Sequence, residues 1–154
     1  MKTLTAGTPA PAFTLLNQDN QPVSLADFKG KKVLAYFYPK AMTPGCTVQA
    51  CGLRDSKAEL DALNVVVLGI SIDPVKRLPK FIERDNLNFT LLSDEDHAVA
   101  LSYGAWGEKL VNGEVTEGIV RSTVVVDPEG SVRLTQYQVK AQGHVAALKD
   151  ALGV

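Results

Sequence analysis

The run Pro39-Lys40-Ala41-Met42-Thr43-Pro44-Gly45-Cys46-Thr47-Val48-Gln49-Ala50-Cys51 contains both cysteines of the chain. Thiols this close in sequence can hold a soft metal ion or cycle between dithiol and disulfide. The N-terminus, Met1-Lys2-Thr3-Leu4-Thr5-Ala6-Gly7, lacks the apolar stretch of a secretion signal, so a reducing, cytoplasmic setting is expected, where a permanent structural bridge is disfavoured. Zinc sites built on paired cysteines need further ligands. His97 and His144 lie in polar stretches with no local spacing to the thiols, and both are expected to be solvated.

Around the thiols the residue types describe a strand turning into a helix. Thr43 is placed to cap that helix and Pro44 to take its first position, where a missing N–H costs nothing. A thiol in the first turn meets the positive end of the helix dipole and unpaired backbone N–H groups, which stabilise a thiolate and mark Cys46 as the nucleophile. On a regular helix Cys51 falls about 140° round from Cys46, toward solvent, and the two Cα atoms stand roughly 8.7 Å apart. A disulfide wants roughly 4.4 to 6.8 Å. Joining the pair therefore requires the first turn to unwind, which Gly45 and Gly52 make easier, so oxidation is expected to move the backbone. Two inert core thiols would be the commoner arrangement, but the Thr-Pro-Gly-Cys turn argues against it.

The elements that must hold this turn can be read from periodicity. Residues 32–38 and 64–72 are continuous apolar runs, as expected of strands buried on both faces. Residues 43–63 between them have helical spacing, giving the strand-helix-strand unit of a parallel sheet. Residues 13–16 and 22–25 predict an N-terminal hairpin, 74–85 a second helix, 88–92 a short strand and 94–103 a third helix opened by acidic residues. Residues 122–127 and 131–137, joined by Pro128-Glu129-Gly130, predict an antiparallel hairpin, and residues 143–152 a closing helix. This order resembles a thioredoxin-like α/β fold with an N-terminal β-hairpin extension and an inserted helix. At 154 residues the chain is expected to form a single domain over 1–154.

Pro39, Thr43 and Cys46 match the Pro-x-x-x-Thr-x-x-Cys signature of peroxiredoxins. The run through Cys51-Gly52-Leu53-Arg54-Asp55 closely resembles the peroxiredoxin Q or bacterioferritin comigratory protein branch. The likeness continues through Asn88-Phe89-Thr90-Leu91-Leu92-Ser93-Asp94, Trp106-Gly107-Glu108-Lys109 and the Arg121 segment. It implies a thiol peroxidase acting on hydrogen peroxide and alkyl hydroperoxides without a cofactor. Cys46 is then the peroxidatic thiolate that becomes a sulfenic acid, and Cys51 the resolving thiol that closes an intramolecular disulfide, which thioredoxin, or glutaredoxin, would reduce. By the same resemblance Thr43 hydrogen-bonds thiolate and peroxide, Arg121 stabilises negative charge beside the sulfur, and Pro39 shields it from water. Backbone N–H groups of Gly45 and Cys46 are further candidate donors.

Two rival functions remain on the residues alone. A thioredoxin-like disulfide oxidoreductase would use the same fold, although such exchangers have a two-residue gap between their cysteines. A metal carrier would use the thiols with one remote histidine. The net charge of −1, from 16 basic and 17 acidic residues, suggests no nucleic-acid or membrane partner. Resolution within one helix needs no second chain, so a monomer is expected. Trp106 is expected to pack at the end of the third helix, and Tyr36-Phe37-Tyr38 to build the core and pocket wall.

Overall fold

The computed structural model describes residues 4–39, 42, 44–111 and 113–137. In chain order these form strands β1 (Thr14–Asn17), β2 (Pro22–Ser24) and β3 (Lys32–Phe37), then helices α1 (Pro44–Asp55) and α2 (Lys57–Ala62). Strand β4 (Val65–Ser71), helix α3 (Leu78–Asp85), strand β5 (Thr90–Ser93) and helix α4 (Ala98–Ser102) follow. Strands β6 (Trp106–Val111), β7 (Glu114–Ile119), β8 (Ser122–Val126) and β9 (Val132–Gln136) come last. Seven strands make one sheet in the order β2-β1-β5-β4-β3-β8-β9, and β6 and β7 form a separate ribbon. The three central strands β3, β4 and β5 are parallel, while β8 lies antiparallel to β3 on its other side.

Strand β3 is apolar and buried from Val33 to Phe37 because both its faces are covered. Leu34, Tyr36 and Tyr38 point into a core shared with Cys46, Ala50, Leu53, Leu60, Leu78 and Phe81 of α1, α2 and α3. Val33, Ala35 and Phe37 point the other way, into a core with Ala100, Tyr103 and Ile119. The alternation follows from the two-residue repeat of a strand, and the continuous apolar run from there being a core on each side.

Several expectations shift. The helix predicted over residues 43–63 is two helices, broken at Ser56 (φ −96°, ψ 3°), whose N–H is shared between the carbonyls of Gly52 and Leu53 at 3.2 Å each. That bifurcated bond tightens the turn toward a 3₁₀ geometry and ends α1. The third helix is shorter than its pattern: α4 starts only at Ala98, after a left-handed His97 (φ 52°). Asp94 still serves it, accepting the N–H groups of Val99 (3.2 Å) and Ala100 (2.8 Å) with its carboxylate. The β6–β7 ribbon was not predicted; much of it is exposed and charged, so it has no one-sided apolar alternation to read. The closing helix predicted over 143–152 lies outside the described residues.

Candidate active site

The site is built where β3 gives way to α1. The Tyr38 N–H still donates to the Ile70 carbonyl (3.1 Å), extending the β3–β4 ladder by one residue. Helix α1 then begins at Pro44, with Gly45 second. Among the described side chains of α1 the buried ones are Cys46, Gln49, Ala50 and Leu53, the i, i+3, i+4, i+7 stripe of a helix laid on a sheet. Cys46 therefore sits with its sulfur beneath the helix, 1% exposed. Cys51 is partly exposed on the same unbroken helix, and both thiols are free.

Arg121 reaches this point through the sheet. It immediately precedes β8, whose Ser122 is in register with Phe37 at the end of β3. The guanidinium is thus delivered beside the start of α1 from 75 residues away: Nη2 donates to Cys46 Sγ at 3.2 Å and Nη1 to Gln49 Oε1 at 2.6 Å. A planar guanidinium held at two nitrogens has little freedom left, and a fixed cation in a buried setting stabilises negative charge on the sulfur. Sequence reading passed over Gln49. Its signal was a polar residue three positions after Cys46, on the stripe that the helix must bury.

Two stacked phenols, Tyr36 and Tyr38, wall the site from β3, with ring centroids 5.4 Å apart. Burial pushes both hydroxyls well above the ordinary tyrosine range, so they remain neutral. Tyr36 lies across Gly69 of β4, its partner in register; a Cβ at Gly69 would stand 2.9 Å from the Tyr36 hydroxyl and 2.8 Å from Leu91 Cδ2.

Pro39 borders a groove of about 530 Å³ shared with Ile72, Pro74, Lys76 and Lys80. Thr43 and His144 lie outside the described residues. His97, expected to be solvated, instead stacks on Trp106 with centroids 3.9 Å apart and planes at 9°, so Trp106 packs as expected but on a histidine. Among the described residues no three His, Cys, Asp or Glu side chains are grouped as a metal site would require.

Residues 6–135 match the AhpC/TSA family. The chain belongs to that family. A Haemophilus influenzae protein named as a bcp peroxiredoxin is 55% identical to this AhpC/TSA member over 152 residues, 99% of this chain and 98% of its own. Peroxiredoxin Bcp of Escherichia coli K12 is 51% identical over 144 residues, covering 94% and 92%. The bacterioferritin comigratory protein of Xanthomonas campestris, whose alkyl peroxide reduction has been examined structurally, superposes with a TM-score of 0.89 at 32% identity, over 97% of this chain and 98% of that one. This AhpC/TSA protein is a peroxiredoxin with the thioredoxin-like α/β fold, and a peroxidase. No helix of the described residues is long and apolar enough to cross a membrane.

Proposed function

We propose that this peroxiredoxin reduces hydrogen peroxide and organic hydroperoxides through Cys46, resolves through Cys51, and is recycled by the dithiol of thioredoxin or glutaredoxin. The observation that carries the reading is the buried Cys46 sulfur 3.2 Å from the Arg121 guanidinium. The Cys46 thiolate attacks the terminal peroxide oxygen; an S–O bond forms as the O–O bond breaks, and the departing oxygen takes a proton to leave as alcohol or water. The sulfur is thereby oxidised by two electrons to a sulfenic acid. Arg121, the Thr43 hydroxyl and the backbone N–H groups of Gly45 and Cys46 are the donors proposed to hold the peroxide, with Pro39 limiting water.

The Cys51 thiolate then displaces hydroxide from the sulfenic sulfur: an S–S bond forms, the S–O bond breaks and the hydroxide is protonated to water. The reductant dithiol returns two electrons and restores both thiols. Since both cysteines belong to α1, one chain completes the cycle, which supports a monomer, and a dithiol reductant fits a cytoplasmic setting. The test is stopped-flow fluorescence of Trp106 on mixing reduced protein with peroxide, with intact mass of the product. The expected result is a fast step proportional to peroxide that ends in a Cys46–Cys51 disulfide and is abolished in Cys46→Ser. Turnover retained by that variant would overturn the assignment.

A further inference from the structure

Helix α3 and the residues just after it are bonded to the end of α1 and to Met42, two residues before its start. In the last turn of α1, Arg54 Nη1 donates to the Asp85 carbonyl (2.6 Å), while Asn88 Nδ2 donates to the Arg54 carbonyl (3.2 Å). At the opposite end, Arg84 Nη1 donates to the Met42 carbonyl at 3.0 Å. Met42 has φ +64°, a left-handed backbone that a long side chain adopts only at a cost. Its side chain packs against the core cluster that contains Cys46, Tyr38 and Phe81. A strained residue held by a hydrogen bond from another element has an alternative conformation within reach.

We propose that Arg84 is a positioning residue that latches the turn before α1 and so sets how readily Cys46 and Cys51 can approach. The inference rests on the assignment of Cys51 as the resolving thiol. In an intact helix the two Cα atoms stand roughly 8.7 Å apart, beyond the roughly 6.8 Å upper limit of a disulfide, so the residues leading into and forming the first turn must move. Polar ties from Arg121 on Cys46 and Gln49, and from Arg84 on Met42, hold that stretch. The first belongs to the chemistry. The second touches no reacting atom, and the Arg84 side chain is half exposed, with the Asp85 carboxylate 3.9 Å from its Nε. A closed latch favours the wound helix that attacks peroxide. An open latch favours the unwound state that resolves, and a sulfenic acid that is not resolved is open to a second peroxide and a sulfinic acid.

The test compares wild type with Arg84→Met, which keeps an unbranched stem and removes the donors, and with Arg84→Lys, which keeps a donor. In the reduced proteins, amide hydrogen exchange at Val48, Gln49 and Ala50, whose helical acceptors lie in the first turn, is expected to be about three- to tenfold faster in Arg84→Met, with β3 and β4 unchanged and Arg84→Lys intermediate. In single turnovers the peroxide-dependent step is expected to stay within about twofold, while disulfide formation speeds up about three- to tenfold and less sulfinic acid accumulates. Unchanged exchange at those amides, exchange raised evenly over the whole sheet, or faster exchange with an unchanged rate of disulfide formation would each overturn the latch. A wild type that consumes peroxide without forming the Cys46–Cys51 disulfide would overturn the assignment of Cys51 and with it the latch's part in resolution; the exchange comparison would still decide whether Arg84 holds the turn.

Discussion

The guanidinium of Arg121 contacts the Cys46 sulfur with one terminal nitrogen and the Gln49 amide oxygen with the other, so its orientation and its electrostatic effect depend on different residues. Removing the donors and removing the support should therefore differ in size. Arg121→Met is expected to lower the second-order rate constant with peroxide by about 10²- to 10³-fold, the usual effect of deleting a donor aimed at developing charge. Gln49→Ala leaves the contact with Sγ available but unbraced, and is expected to cost about tenfold. Stopped-flow Trp106 fluorescence measures both. Equal losses in the two variants would mean that Gln49 does more than orient Arg121, and a Gln49→Ala rate equal to wild type would remove it from the site.

At the scale of elements, the site depends on how closely β3 and β4 approach beneath α1. Gly69 allows the Tyr36 ring to lie across β4, and its Cβ positions in an alanine variant would meet both Tyr36 and Leu91 at under 3 Å. Neither neighbour can withdraw, since both are fully buried. Gly69→Ala is accordingly expected to destabilise the fold by about 1–3 kcal/mol through overpacking, read as a lower urea midpoint at unchanged m-value. Because Tyr36 shares its core cluster with Cys46, the same variant should also slow the peroxide step; an unchanged midpoint would show that the strands separate at little cost.

Over the whole molecule, the buried phenols govern the response to alkaline pH. Tyr36, Tyr38 and Tyr103 are all raised above the ordinary value of 10.0, chiefly by burial. As pH climbs past that value the unfolded chain releases these protons while the folded protein keeps them, so the unfolded state binds fewer protons and stability falls with further rise in pH. Below it the contribution is fully present. The urea midpoint is thus expected to fall steeply above about pH 10, and Tyr103→Phe, which also loses the hydroxyl's bond to the Pro11 carbonyl, should show a shallower fall from a lower starting midpoint. Parallel profiles for the variant and wild type would contradict this account.

What could be read from the sequence was what short-range chemistry decides. The Thr-Pro-Gly-Cys start of α1, the five-residue spacing of the thiols and the doubly buried runs of β3 and β4 are local patterns, each enforced by backbone geometry or by alternation along one element. The resemblance carried by Pro39, Thr43 and Cys46 pointed to the family on the same local grounds. The break at Ser56 escaped because Leu53 and Leu60 stay in phase across it, and the β6–β7 ribbon because Glu114 to Glu117 of β7 are all exposed and show no alternation; the Asn112-Gly113 pair between the strands was a hairpin signal. Only the tertiary structure could show that Gln49 braces Arg121 and that Arg84 reaches Met42. Those contacts join residues 72 and 42 positions apart, and they exist because β8 lies antiparallel beside β3 and α3 packs alongside α1, placements that no local periodicity encodes.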